Sequence, residues 1–600
     1  MTLPTFFLRF RASRPVVLCL LPLLLHEGVA QAQYHRYEAE TAQILSGVQV
    51  RNSVPGYSGA GYVTDFTNAA DYLQLQVNVP DGLYEMWVGY RSQFGQKGYT
   101  YRVDGETGEG MFDQSHTFAA DRAGLFNVRG ATNTLAIQHN WGYYDIDYFE
   151  FRPFTPPQVA PVSSQLADEQ ASARTRFLMN YLVSIYGEKT LSGQQHDVGQ
   201  NLPFPESDYL AKSGGLVPAI RGSDLMDYSP SRILRGENPQ REVEQTIDWA
   251  KQTGGIVTMT WHWNAPANLI DQPGKEWWRG FYTNATTFDL PGALANPQGG
   301  DYQLILRDID AIAAELQKFE NAGVPVIWRP LHEAQGGWFW WGAHGPETFK
   351  QLWNLTHDRL TNHHGLHNLI WEFTSSAAEG NHLQWYPGDS VVDMIGLDIY
   401  TDPSSSMSGQ WHDVLEHYNG RKLIALSETG TLPDPELMDQ WDIEWSYFSP
   451  WNGFDDNFTA TQLRATLEDE DVITLDELPT MPWSIDAPRS GDFDADGDVD
   501  GGDLLAWQQQ LGQSGDMAGD GNGDDFVDAE DLALWRSQFR LGPGVDAAGV
   551  SIPEPGWAAF AAMPVVLAAA FVGRKSRRYR VIQSAAVDLA AAPDSSLRSE

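Results

Sequence analysis

Between residues 165 and 483 short apolar runs alternate with amphipathic stretches of helical period, and that alternation admits few folds. The runs end near Gln195, Asp224, Trp263, Glu333, Thr374, Tyr400, Thr429 and Trp451. After the third, Leu304, Leu306, Ile309, Ile312, Ala313, Leu316 and Phe319 recur at the spacing that lines one helix face, and Asn321-Ala322-Gly323 supplies a stop. Phe349, Leu352, Trp353 and Leu360 repeat the pattern after the fourth. Eight strands separated by helices, with polar and aromatic residues gathered at their C-terminal ends, predict a (β/α)8 TIM barrel rather than an open doubly wound sheet. No glycine-rich nucleotide signature follows any run, which argues against a nucleotide site.

Two of these strand ends carry chemistry. Arg329-Pro330-Leu331-His332-Glu333 runs into Gly336-Gly337-Trp338-Phe339-Trp340-Trp341, and Leu426-Ser427-Glu428-Thr429-Gly430 closes the seventh strand. Carboxylates on separate strand ends beside indoles suit cleavage of a glycosidic bond, where one acid donates a proton and the other attacks or activates water. A single barrel Glu is usually an ion-pair residue. The pair, with its flanking motifs, reads as functional.

The formal charge of −40 excludes nucleic acid as a partner, because phosphates demand an excess of Lys and Arg. A neutral polysaccharide tolerates it. Arg9, Arg11 and Arg14 precede the apolar residues 16–25, and Ala30-Gln31-Ala32 offers small residues for cleavage, so residues 1–32 read as an export signal. The single cysteine, Cys19, lies inside it, which removes thiol chemistry from the expected mature chain.

Residues 33–153 read as an all-β module: 72–79, 83–90 and 133–138 alternate with period two between Gly and Asp turns. Pro153, Pro156, Pro157 and Pro161 mark a stiff linker over 154–164. In 491–540, Asp492, Asp494, Asp496, Asp500 and Asp503 stand at positions 1, 3, 5, 9 and 12 of a calcium-type loop, with Gly497 at position 6. Asp520, Asn522, Asp524, Asp528 and Asp531 repeat the pattern, and related helices follow each loop, which an acidic linker would not require. Pro553-Glu554-Pro555, the apolar residues 557–572 and Arg574-Lys575-Ser576-Arg577-Arg578 place a motif, a hydrophobic span and a basic stop within 552–578. A buried helix would give no reason for that basic cluster. Transient membrane contact and retention at the cell surface are expected.

The barrel motifs, with Asp398-Ile399-Tyr400, resemble glycoside hydrolase family 26, whose best-known members are endo-β-1,4-mannanases. His332 before the first Glu separates this family from related barrels that carry Asn there. The resemblance implies that Glu333 is the general acid/base and Glu428 the nucleophile of a retaining mechanism, with no catalytic cofactor. The indoles of Trp338, Trp340 and Trp341 would raise the Glu333 pKa as a low-dielectric wall. Tyr400 would donate to Glu428, and His332 would orient Glu333 or a sugar hydroxyl. His262, Trp451 and His196 are further candidates at the barrel mouth, each with ordinary packing as its alternative.

Tyr37-Glu38-Ala39-Glu40 and residues 141–148 resemble a family 35 carbohydrate-binding β-sandwich. That likeness implies a structural Ca²⁺ on Glu38, Glu40 and Asp147, with Trp141 and Tyr143 as sugar platforms or core residues. The acidic repeat resembles a type I dockerin, implying structural Ca²⁺ and a cohesin-like or cell-surface partner, although Asp525 stands where its second loop usually has Gly. The tail resembles a PEP-CTERM sorting signal, but about twenty residues follow its basic cluster. The reading is a secreted β-mannanase held near the cell surface. Its rivals are a β-1,3-xylanase or mixed-linkage β-glucanase of the same family, and a catalytically silent glycan-binding protein.

Overall fold

The computed structural model describes residues 34–539 apart from 104–105, 130–132, 197–205, 377–381, 402, 404, 485–490, 495–498, 515–516 and 522–525. The export signal and sorting tail lie outside the described residues, as do Asp496, Asn522 and Asp524. Among the described residues no helix is long and apolar enough to cross a membrane.

The period-two segments form two antiparallel sheets. One orders Gln49–Arg51, Tyr62–Thr64, Asp145–Pro153, Gly82–Ser92 and Ser115–Val128, with His35–Glu38 also on Asp145–Pro153; the other orders Ile44–Ser46, Tyr72–Val77, Asn133–Trp141, Lys97–Val103 and Glu106–Phe112. Alternation sends Leu73, Leu75 and Val77 of the second sheet inward against Met86, Val88 and Phe149 of the first. Removing that apolar area from water, at about 25 cal/mol per Å², holds the sandwich.

Eight parallel strands make the barrel: β1 (Thr190–Gln195), β2 (Ile220–Asp224), β3 (Ile256–Trp261), β4 (Val326–Pro330), β5 (Leu369–Ser376), β6 (Met394–Ile399), β7 (Leu423–Thr429) and β8 (Tyr447–Pro450). Each pairs with the next, and β8 returns to β1 through Leu191 opposite Tyr447 and Ser192 opposite Phe448. That pairing closes the sheet. Val472–Ile473 adds a short parallel strand beside β1. Strand β4 stops three residues before the expected Glu333, because Leu331 and Glu333 take left-handed φ values of 55° and 52° that no strand continues. Between β6 and β7 the register slips so that Asp398 lies opposite Glu428, and this bulge brings two acids to one level.

The helix after β3, Gly300–Asn321, buries Ile305, Ile309, Ile312, Leu316 and Phe319. Ile305 takes the core position expected of its neighbours Leu304 and Leu306, which are only half-buried. The helix after β4, Pro346–Asp358, continues into one π turn, Arg359–His363, which buries Leu360.

Residues 154–164 are not a spacer in open solvent. Phe154 packs edge-on against His412 at 5.0 Å, Asn419 accepts from the Ala160 amide at 2.7 Å, and Val162 joins the barrel core. Arg122 of the sandwich pairs with Asp413, and Arg129 donates to Gln440 at 2.6 Å. Beyond the barrel, helices Gly501–Gln510 and Ala529–Gln538 clasp reciprocally: Trp507 donates to the Asp528 carbonyl at 2.7 Å and Trp535 to the Asp500 carbonyl at 2.8 Å.

Candidate active site

Arg329, on β4, is fully buried inside the barrel. Its guanidinium lies 2.8 Å from Asp398, 3.3 Å from Glu428 and 3.7 Å from Glu372. Burial opposes its charge, but Asp398 and Glu428 outweigh that and hold the proton on. One cation cannot compensate three buried acids. Burial therefore pushes the Asp398 and Glu372 carboxyls above their ordinary range despite Arg329. Tyr447 donates to Glu372 at 2.7 Å and Ser427 donates to its other oxygen, so the residue before Glu428 is tied to the barrel floor.

Glu428 sits above that floor and accepts 2.5 Å from the Tyr400 hydroxyl. Glu333 stands nearby on the β4 loop, 9% exposed, its amide bonded to the Thr374 carbonyl at 3.1 Å. Burial and then the Glu428 charge push its pKa up to about 7. The Trp338 indole donates to Glu333 at 2.9 Å, and this contact pulls the pKa down. The expected indole wall needs correction: Trp340 and Trp341 are buried and donate to the Trp263 and His332 carbonyls at 2.6 and 2.9 Å, pinning the loop from beneath. A Cβ on Gly336 would lie 1.9 Å from the Trp338 ring, and Gly337 has φ 65°, so this glycine pair lets Trp338 fold back over Glu333. Glu333, Trp338, Ser376, Asp398, Tyr400 and Gln410 line a cleft of about 380 Å³. Beyond Tyr400 it adjoins a more apolar recess of about 320 Å³ with Leu432, Phe454 and Phe458.

An acid held protonated to about neutral pH, beside a second carboxylate anchored by Arg329 and Tyr400, is a pair equipped for acid and nucleophile roles. The profile of glycosyl hydrolase family 26 matches residues 167–477, and that of the family 35 carbohydrate binding module matches 35–154. The chain belongs to glycosyl hydrolase family 26. It is similar to a mannan endo-1,4-beta-mannosidase of Thermothelomyces thermophilus, 41% identical over 448 residues, covering 74% of this chain and 90% of that protein. Mannan endo-1,4-beta-mannosidase A of a Piromyces species is 31% identical over 482 residues, 78% of this chain and 76% of that one. The crystal structure of a Podospora anserina GH26-CBM35 beta-(1,4)-mannanase is 39% identical with a TM-score of 0.53, over 76% of this chain and all of that one. This family 26 protein is a glycoside hydrolase, and its N-terminal sandwich is a family 35 module.

The supporting residues divide. His262 and His332 meet at 3.2 Å between their Nε2 atoms, with Trp451 5.5 Å from the His262 ring. His332 is buried, and its two ring nitrogens meet Thr260 and His262. His196 lies in a separate recess with Arg221, Tyr209 and Trp249, and burial followed by Arg221 lowers its pKa to about 3. It does not line the cleft around Glu333. The sequence reading missed Glu372, which carries no motif, and gave no role to Arg329 or Asp224. Charged residues within otherwise apolar strands were the available signal.

In the sandwich, Trp141 and Tyr143 are 45% and 57% exposed, outside the core. Trp141 lies flat over Gly98, where a Cβ would come within 2.3 Å of the indole nitrogen, and Lys97 sits 5.1 Å over its ring. Glu38 and Asp147 both accept from Ser58, at 2.6 and 2.9 Å, and Glu40 accepts from the Ala60 amide at 2.6 Å. The other Glu40 oxygen is buried with no hydrogen-bond partner, and burial with the Glu38 and Glu40 charges raises Asp147 to about 6. Converging acids with an orphaned oxygen fit a hard cation such as Ca²⁺. In the C-terminal repeat, oxygens of Asp492, Asp494 and Asp503 lie within 4.8 Å of one another, and Asp503 accepts from the Asp494 and Asp500 amides at 3.1 and 2.7 Å. That all-oxygen set fits the same ion.

Proposed function

We propose that this enzyme is an exported endo-β-1,4-mannanase that cleaves mannans by a retaining double displacement. The observation that carries the mechanism is the contrasted setting of two neighbouring acids at the barrel mouth: Glu333 buried and raised to about 7, Glu428 bonded to Arg329 and Tyr400. Glu428 attacks C1 of the mannosyl unit while Glu333 gives its proton to the departing oxygen, leaving a glycosyl ester. Glu333, now ionised, takes a proton from water, which attacks C1 and releases Glu428. This course requires the carboxyl groups to be roughly 5–5.5 Å apart during reaction. The Thermothelomyces and Piromyces relatives are mannan endo-1,4-beta-mannosidases, which supports mannan over the β-1,3-xylan and mixed-linkage glucan of the rival readings. The intact acid pair argues against a silent binding protein.

Around the barrel, the exposed Trp141 and Tyr143 hold insoluble mannan. Ca²⁺ on Glu38, Glu40 and Asp147 stiffens the sandwich, and Ca²⁺ on the acidic loops, Asp492, Asp494, Asp496, Asp500 and Asp503 with Asp520, Asn522, Asp524, Asp528 and Asp531, folds the repeat for a cohesin-like or cell-surface partner. The tail keeps the enzyme near the envelope. Product analysis on galactomannan, linear mannan, β-1,3-xylan and β-glucan tests the substrate: internal cuts in the mannans alone are expected, and faster cleavage of xylan or glucan would replace this reading.

A further inference from the structure

Behind the two carboxylates runs a chain of hydrogen bonds whose direction is fixed by its end. The Thr260 hydroxyl donates to the Arg329 carbonyl at 3.1 Å, and a carbonyl oxygen can only accept. With its one proton committed, Thr260 accepts from Nδ1–H of His332 at 3.2 Å. His332 is fully buried, and burial followed by the His262 and Arg329 charges holds it neutral, so its Nε2 carries a lone pair. That lone pair faces Nε2 of His262 at 3.2 Å, which must therefore donate. On its other side His262 meets Asp224 Oδ2 at 2.5 Å, while Asp224 Oδ1 accepts the His262 and Met226 amides at 3.1 and 2.8 Å. Both His262 nitrogens thus carry protons.

We infer that Asp224, His262, His332 and Thr260 form a one-way relay that locks His262 as an imidazolium behind the cleft, and that Asp224 is a positioning residue for catalysis. Asp224 supplies the negative charge that offsets burial of this cation, and it fixes the ring through the backbone of two elements. Among the described residues, the other ionisable groups facing His262 are His332 and Glu333 from the β4 loop and Glu428 from β7; Phe281, Phe339 and Trp451 pack against the ring and do not titrate. Burial opposes the His262 charge, and Asp224 outweighs it, raising the pKa above the ordinary 6.5. The cation in turn pulls Glu333 down, after burial and Glu428 have pushed it up. The relay therefore sets how far up the pH scale the acid keeps its proton. The effect on rate rests on the roles given to Glu333 and Glu428, whereas the relay itself does not.

NMR titration of the full chain with labelled histidine, assigned by His262→Gln, reads the relay directly. His262 is expected to remain charged above pH 6.5 in the wild type and to lose its proton by that pH in Asp224→Asn. The basic limb of kcat/KM on mannotetraose should rise by about half to one pH unit in Asp224→Asn, as Glu333 loses a neighbouring cation, and return toward the wild-type position in Asp224→Glu. His262 neutral at pH 6.5 in the wild type would overturn the inference even if neither Asp224 variant folds. So would an Asp224→Asn enzyme whose rate and basic limb are both unchanged. Failure of the Glu333 assignment would look different: the wild type would show no basic limb near 7, with the His262 titration unaffected.

Discussion

Glu333 is held where its charge is poorly solvated, and that discomfort is useful. Its left-handed backbone and buried carboxyl are costs that a stable fold would avoid, and such costs gather at sites under functional demand. Because its pKa is raised from 4.5 to about 7, the folded state holds this proton more tightly than the unfolded chain does. The resulting stability is complete below about 4.5 and is lost as pH rises through 7, at a cost of about 3 kcal/mol. Glu333→Gln should therefore nearly abolish mannan cleavage yet raise Tm by a few degrees at pH 8, with no gain at pH 4.5; calorimetry at the two pH values checks this. Trp338→Phe removes the donor that pulls Glu333 down and should move the basic limb of the rate profile upward. The two acids should also fail differently. Glu428→Ala is expected to be inactive on every substrate, whereas Glu333→Ala should still form the glycosyl ester from an aryl mannoside whose leaving group needs no proton, seen as a burst of aryl alcohol. Equal inactivity on that substrate would reverse or remove the assignment.

At the level of elements, the barrel was legible because parallel strands buried on both faces read as continuous apolar runs, and the helices between them keep a 3.6 period. Glu333, Glu428 and Tyr400 were legible for a related reason: polar residues at the ends of such runs have few structural excuses. The roles of Trp340 and Trp341 were not, since an indole beneath a loop and one facing a sugar have the same composition. His196 follows β1 as His262 follows β3, yet of the two only His262 comes near the two acids, and spacing cannot reveal which way a loop turns. Glu372 and Asp224 escaped because their partners, Arg329 and Tyr447 for one and His262 for the other, lie on or after other strands, so that only a charge within an apolar run marks them. In the repeat the reciprocal Trp507 and Trp535 bonds tie the two helices together, and the proposed Ca²⁺ would relieve repulsion among the loop carboxylates. Calorimetry of the full chain should show a separate transition that moves down in excess chelator and returns with Ca²⁺. An unchanged profile would remove calcium from the repeat.

Across the whole molecule, the sandwich and proline segment are joined to the barrel rather than hung from it, through Phe154 on His412, Val162 in the core and Arg122 on Asp413. Deleting residues 34–153 should cut hydrolysis of insoluble mannan several-fold more than that of soluble oligosaccharides, because local concentration helps only when substrate cannot diffuse. Equal loss on both substrates would mean that the module acts through the fold of the barrel, and Trp141→Ala in the full chain separates the cases by removing the platform while leaving the joint. The central claim about the reaction is that Glu428 makes a covalent bond to mannose. Trapping the enzyme with a 2-fluoro-mannosyl donor bearing an activated leaving group, followed by peptide mass spectrometry, tests it in one step. The expected result is a single glycosyl adduct on the peptide containing Glu428; an adduct on another carboxylate, or turnover of mannan by an enzyme that never carries one, would contradict it.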